Sequence, residues 1–180
     1  MKLVSIVGMA GVGKSEVAKI FKEHNFIRIR FGDVTDEEMK KRGLEPSEEN
    51  ERYIRELLRQ EFGMSAYAKL NLPRINSALE HSLVVIDGLY SWEEYTFLKD
   101  YYGGDFCLVA VWTPPRVRYE RLMSRPTRCL TLEEAISRDK AEIENTNKGG
   151  PIAMADFTII NQSSLENLKK KVERIISILR

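Results

Sequence analysis

Gly8, Gly13, Lys14 and Ser15 occupy the fixed positions of the spacing G-x-x-x-x-G-K-[ST], with a further glycine, Gly11, inside it. Glycines let successive backbone N–H groups turn toward one anionic centre with no Cβ in the way. A lysine at the end of such a loop reaches the outer phosphates of a triphosphate, and the hydroxyl after it can ligate Mg2+. The apolar run Leu3-Val4-Ser5-Ile6-Val7 precedes the loop, and Val17, Ile20 and Phe21 follow it at helical spacing. Strand, loop and helix in that order are the context in which this motif binds phosphate. The sequence therefore predicts nucleotide binding through Gly8, Gly11, Val12, Gly13, Lys14, Ser15 and Glu16, with Lys14 exposed in the cleft.

Two carboxylates stand where chemistry would need them. Asp87 follows an apolar run and precedes Gly88; Asp33 follows Gly32 in the same relation to an earlier run. Carboxyl ends of parallel strands face the ligand crevice, so Asp87 can hold Mg2+ beside Ser15. A turn aspartate capping the next helix would carry the same signature. Asp33 can accept a proton from a substrate hydroxyl or orient it, and it can equally cap the helix beginning near Val34. Arg121, Arg125, Arg128 and Arg138 are candidates to surround a migrating phosphoryl group, since arginine chelates phosphate bidentately. A solvated helix face is their other reading. The catalytic candidates are thus Lys14, Asp33, Arg125, Arg128 and Arg138, and the metal candidates Ser15 and Asp87.

Five segments read as strands: residues 2–7, 26–31, 83–86, 106–112 and 157–160. Unbroken apolar runs such as 83–86 imply burial on both faces, hence central strands of a parallel sheet. In the second segment Ile27, Ile29 and Phe31 alternate with Arg28 and Arg30, which suits an edge strand with one wet face. Helical patterns separate the strands, and capping boxes are expected at Ser91-Trp92-Glu93-Glu94, Thr131-Leu132-Glu133-Glu134 and Ser163-Ser164-Leu165-Glu166. The last helix should bury Leu165, Leu168, Val172, Ile175, Ile176 and Leu179. The expected fold is a doubly wound α/β domain over residues 1–180. Two stretches exceed the minimal rhythm. Residues 34–82 read as wholly helical, with Pro46-Ser47 at a helix start and an apolar face of Tyr53, Ile54, Leu57, Leu58 and Phe62; residues 116–138 form an arginine-rich segment. Insertions over the ligand edge of a sheet are natural clamps or lids.

Composition narrows the classes. Lys+Arg 28 against Asp+Glu 27 gives a net charge of +1, so neither nucleic acid nor an acidic membrane is an expected partner. No apolar run approaches the ~20 residues of a membrane span. Cys107 lies in an apolar strand and Cys129 in a polar stretch, so no disulfide is expected and the cytoplasm is the expected compartment. His24 and His81 alone offer no zinc cluster.

The chain resembles the nucleoside-monophosphate kinase group, including adenylate kinase and dephospho-CoA kinase, and is most similar to archaeal adenylate-kinase-related proteins. The resemblance rests on residues 8–15, Phe31-Gly32-Asp33-Val34, Val85-Ile86-Asp87-Gly88, the arginine-rich segment through Arg138-Asp139, and Ala155-Asp156-Phe157. It implies a P-loop NTPase fold with a five-stranded parallel sheet, a helical acceptor-binding insertion (34–82), a lid (116–138), ATP and Mg2+ as cofactors, and transfer of the γ-phosphoryl of ATP to a small-molecule acceptor that is a nucleotide or nucleotide-like. A nucleotide switch or sensor with slow or no transfer is the alternative. The chain departs from the group at the acceptor side. Arginines expected three residues after Asp33 and following Asp87-Gly88 are replaced by Asp36 and by Leu89, Tyr90 and Ser91, which leaves Arg59, Lys69 and Arg74 as substitutes. The lid pattern Arg-x-Asp-Asp is also missing, with no acid between Glu120 and Glu133. Asn147-Lys148-Gly149-Gly150 lacks the aspartate of a guanine-reading motif and reads as a loop; Asn161-Gln162-Ser163 lies near the adenine by resemblance, or is a plain helix cap.

Overall fold

The computed structural model describes residues 2–180. Strand β1 (Leu3–Val7) is buried along its whole length. It sits at the centre of a parallel sheet with β2 (Ile27–Arg30), β3 (Val84–Leu89), β4 (Phe106–Trp112) and β5 (Phe157–Ile160), in the order β2-β3-β1-β4-β5. From β1 the chain moves to one side for β2 and β3, then crosses to the other for β4 and β5. That reversal opens a crevice beyond the carboxyl end of β1, where ligands of such sheets bind.

Alternate residues of the central strands fill two cores, as strands buried on both faces require. Val4, Ile6, Val85, Val109 and Val111 pack with Val17 and Phe21 of α1 (Lys14–Glu23) and with Leu168, Val172 and Ile176 of α9 (Leu165–Leu179). On the opposite face Leu3, Val7, Val84, Ile86 and Leu108 pack against α2 (Asp33–Lys41), α3 (Glu48–Phe62), α4 (Ala66–Leu79) and α5 (Trp92–Tyr102). A smaller cluster of Ala10, Leu122, Leu130 and Ala135 lies under α6 (Pro115–Met123) and α7 (Leu132–Glu144). α8 (Gly149–Ala153) completes the elements named here.

The expected fold is the one observed, with local corrections. β3 runs on through Asp87 and Gly88 to Leu89, so Asp87 lies inside the strand. The register skips Gly88, Ile6 facing Asp87 and Val7 facing Leu89, and this bulge absorbs the positive φ of 101° at Gly88. β2 is an edge strand, but its arginines do not face open water: Arg28 and Arg30 pair with carboxylates in the crevice. Residues 34–82 are helical as expected, in three helices, with Ser47 capping α3 through the Asn50 amide. Tyr53 is exposed while Ile54 and Leu58 are buried, so the apolar face of α3 is narrower than the pattern suggests. Thr131 and Glu134 form the capping box of α7. At α9 the cap is Ser164 rather than Ser163, which turns Leu165 out to solvent. Asn147 adopts φ 49°, and α8 follows where a loop was expected. Cys107 and Cys129 are both free thiols, the first buried and the second exposed. Among the described residues no helix is long and apolar enough to cross a membrane.

Candidate active site at the carboxyl ends of the strands

The loop between β1 and α1 is held from outside. Lys14 Nζ donates to Gly8 O at 2.9 Å and Met9 O at 3.0 Å, Arg118 Nη1 donates to Ala10 O at 3.0 Å, and Asn161 Nδ2 donates to Val12 O at 2.8 Å. Among the described residues the amides of Gly11, Val12 and Gly13 donate to no backbone carbonyl. With the amides of Lys14 and Ser15, which likewise donate to no backbone carbonyl among the described residues, they form a cluster of unpaired N–H groups suited to an anion. Two glycines are required by what surrounds the loop. A Cβ at Gly11 (φ 81°) would lie 2.8 Å from Arg118 O, and one at Gly13 (φ 95°) would lie 2.6 Å from Asn161 Nδ2.

Lys14 departs from its expected pose. Its ammonium turns back onto the loop, and burial, reinforced by the nearby charge of Lys148, pushes its pKa down to about 7. Ser15 at the start of α1 is exposed. Asp87 is 4% exposed, and Arg28 binds its Oδ2 through both Nε and Nη2. Its Oδ1 accepts no hydrogen bond among the described residues, so one carboxylate oxygen stays open to the crevice. The pair Ser15 and Asp87 fits Mg2+, which takes one or two protein oxygens and fills the rest of its octahedron with water and substrate phosphate.

Asp33 is the first residue of α2 and about half exposed; Arg30 Nη1 donates to its Oδ1 at 2.8 Å and to Asp36. The candidate arginines are mostly engaged. Arg128 reaches Asp36 at 2.8 Å and Glu51 at 3.1 Å, and Arg138 reaches Glu48 at 2.9 Å and Glu142 at 3.3 Å. The pairs with Asp36, Glu51 and Glu48 join the 116–138 segment to α2 and α3, and the pair with Glu142 lies within α7. Arg121 bonds to Asn161 O at 3.2 Å, beside the loop. Arg125 has no carboxylate partner among the described residues; partial burial and the charges of Arg138 and Arg128 lower its pKa. The acceptor-side substitutes do not converge on Asp33. Arg74 is bound to Glu37, Lys69 caps α3 through Phe62 O, and Arg59 lies over the Tyr67 ring.

Two residues that reading the chain left aside matter to the site. Arg118 is 4% exposed and, besides Ala10 O, donates to Thr113 O and to both carboxylate oxygens of Asp139. Its signal was its spacing: Arg118 and Leu122, four apart, are the buried residues of α6. Lys148 is 1% exposed, 2.9 Å from Glu142 and 5.3 Å from the centre of the Tyr90 ring. Burial alone would raise the Glu142 carboxyl, but Lys148 and Arg138 hold it well below the usual carboxylate range. No local pattern marks Lys148, because its burial depends on a partner in α7.

Residues 4–145 match the model of a family described as an AAA domain. A UPF0200 protein of Thermococcus gammatolerans is 41% identical over 178 residues, covering 97% of this chain and 93% of the relative. The chain belongs to the UPF0200 family. Among solved structures, the UPF0200 chain is similar to a gluconokinase from Sinorhizobium meliloti (TM-score 0.62, 15% identity, 98% of this chain and 94% of that one). It is also similar to dephospho-CoA kinase from Campylobacter jejuni (TM-score 0.57, 15% identity, 99% and 97%). At such identity the likeness shows the fold, that of small P-loop kinases. The expected resemblance thus holds for the fold, through dephospho-CoA kinase, while the relative is a UPF0200 protein and not a named adenylate kinase.

The Arg118 clamp makes a stability prediction. Arg118→Met should leave Asp139 with only the Tyr119 hydroxyl and no charged partner, strip two carbonyls of their donor, and lower unfolding free energy by about 3–5 kcal/mol. A urea titration checks this, and a loss below about 1 kcal/mol would contradict the clamp.

Proposed function

We propose that this UPF0200 protein is a Mg2+·ATP-dependent kinase of a small molecule. The observation that carries the reading is the meeting of the phosphate loop with Asp87. Asp87 faces Ile6 in register, so an open carboxylate oxygen stands in the strand beside the loop's unpaired amides and the exposed Ser15. Gly8, Gly11, Val12, Gly13, Lys14, Ser15 and Glu16 would hold the nucleotide, and Ser15 and Asp87 would hold Mg2+. The metal, when bound, would neutralise charge developing on the phosphates. Lys14 would leave the Gly8 and Met9 carbonyls for the β- and γ-phosphates. Asp33 would take the proton of the acceptor, and Arg125, Arg128 and Arg138 would gather the migrating group as the 116–138 segment closes over it. Residues 34–82 would form the acceptor side.

A second reading, a nucleotide switch with slow or no transfer, is favoured by one observation. Arg128 and Arg138 are already paired with carboxylates of α2 and α3, so nucleotide binding would first have to rearrange a contact between two segments. Continuous ATP turnover without a phosphorylated product would select it.

AMP is expected to be a poor acceptor, because Asp36 and Tyr90 stand where phosphate-binding arginines would be. Two missing charge-assisted contacts at about 1.5–3 kcal/mol each amount to two to four decades in affinity.

Lys14→Ala should keep the fold while turnover falls by about 10²–10³; a folded variant with unchanged turnover would refute the loop's role. Binding should also depend on pH. With its pKa near 7, Lys14 is largely neutral above that pH in the free protein and must take up a proton to meet a triphosphate. ATP affinity should therefore fall as pH rises above about 7, by at most tenfold per unit. Lys14→Arg, which stays charged, should flatten that slope in titration calorimetry, and an unchanged slope would assign it to another group.

A further inference from the structure

Tyr90 stands where the acceptor would meet Asp33, and its hydroxyl has no hydrogen-bond partner among the described residues. Its position is tightly set. The Tyr90 amide donates to Glu94 Oε2 at 2.8 Å, the ring meets Tyr67 edge-on at 5.2 Å, and Lys148 covers its face. The hydroxyl reaches between the ends of β2 and β3. A Cβ at Gly88 would come within 3.0 Å of it; one at Gly32 would come within 3.1 Å of it and 3.0 Å of Arg30 Nη2. Gly32 is the residue before Asp33. The phenol and the Arg30 guanidinium thus meet over Gly32, and the same guanidinium holds the Asp33 carboxylate, which sets a donor and an acceptor on either side of Arg30. Burial raises the Tyr90 pKa, so the phenol keeps its proton at any working pH.

The charge at that point disfavours a phosphate monoester. Arg30 and Arg128 are shared among Asp33, Asp36 and Glu51, two guanidinium groups against three carboxylates. A dianion there would meet that negative excess, since Arg125 and Arg59, guanidinium groups without a carboxylate partner among the described residues, sit in the 116–138 segment and over the Tyr67 ring; an ammonium would have to compete with two bound arginines. A neutral hydroxyl asks for neither.

Resting on the kinase reading, we propose that the acceptor is a neutral polyol held by two neighbouring hydroxyls, one on Asp33 and one on the Tyr90 hydroxyl, and that Tyr90 fixes this acceptor class. In the transfer, the hydroxyl on Asp33 gives its proton to the carboxylate and its oxygen bonds to the γ-phosphorus. The bond from that phosphorus to the β,γ-bridging oxygen breaks, and ADP leaves with that electron pair. The second hydroxyl stays bonded to Tyr90 and sets which oxygen faces the phosphorus.

The test measures ADP release from Mg2+·ATP with a panel of neutral three- to six-carbon polyols and sugars, including glycerol, D-ribose and myo-inositol, against AMP, CMP and ethanolamine. Phosphorus NMR identifies the product. At least one polyol should stimulate release about tenfold or more and yield a phosphate monoester, whereas AMP, CMP and ethanolamine should not. Tyr90→Phe keeps the ring and its packing, so it should lower kcat/KM for that polyol about three- to tenfold, the worth of one neutral hydrogen bond, without moving the KM for ATP. Asp33→Asn should abolish transfer to the polyol while ATP still binds. Greater stimulation by AMP, CMP or ethanolamine overturns the polyol assignment, and so does a panel in which nothing stimulates although ATP binds. A Tyr90→Phe variant with unchanged acceptor kinetics removes the role of the phenol. Failure of ATP to bind the wild-type protein overturns the kinase reading instead.

Discussion

The carbonyl oxygens of Gly8, Met9, Ala10 and Val12 each accept a hydrogen bond from a side chain: Lys14 for the first two, then Arg118 and Asn161. A peptide whose carbonyl is tied on one side presents its N–H on the other, so these contacts shape the loop around an anion before one arrives. Two of the three donors come from distant parts of the chain. Lys14 belongs to the loop itself, Arg118 lies in α6 beyond β4, and Asn161 follows β5. Strand order makes this possible, because β4 is the neighbour of β1 and β5 the neighbour of β4. The sheet is thus more than a platform. Its register carries to the loop the side chains that hold it, and loss of any one would leave a carbonyl to compete with phosphate for the remaining donors.

On the other flank of β1, charge replaces backbone as the organising element. β3 brings Asp87, β2 brings Arg28 and Arg30, and α2 opens on Asp33. Each cation sits against a carboxylate. Lys148 adds a buried charge at the centre, against Glu142 and the face of Tyr90, close enough to depress Lys14. A positive charge on a buried lysine is tolerated only with its partner in place. The α7–α8 turn, which delivers Lys148, therefore couples the electrostatics of the phosphate loop to the position of α7.

What could be read from the sequence follows from how local each signal is. The phosphate loop, the strands at 106–112 and 157–160, and the Thr131 cap depend on near neighbours in the chain, and all stand where the pattern put them. Asp87 was read as the residue after a strand because the apolar run stops at Ile86. The ladder with β1 and β2 carries the strand on regardless, since backbone pairing does not require an apolar side chain. Arg28 and Arg30 looked solvated because alternation reports which face a residue takes, not what awaits it there. Arg118 and Lys148 were the hardest to see. A buried cation is favourable only if a carboxylate meets it, and Asp139 and Glu142 lie in another helix.

The same ion-pair chemistry has opposite mechanical consequences near the start of the 116–138 segment and at its tip, and exposure decides which. Arg118 and Asp139 are 5% and 14% exposed at the side chain, joined bidentately and surrounded by satisfied carbonyls. Breaking such a pair leaves a charge stranded in protein, so α6 and the middle of α7 should move as one body with the loop. Arg128 and Asp36 are 41% and 35% exposed, where an ion pair is screened and contributes on the order of 0–1 kcal/mol. Arg128 also holds a left-handed backbone at φ 54°, which costs a non-glycine residue roughly 1–2 kcal/mol. That cost offsets the screened contact with Asp36, which leaves the pair with the nearly buried Glu51, 3.1 Å away, to hold Arg128 at the tip. A triphosphate offering Arg128 a denser anion needs only a small differential affinity to draw it from Asp36. Closure of the 116–138 segment on a nucleotide should therefore be largest at residues 124–130 and smallest at the clamp that shapes the phosphate loop.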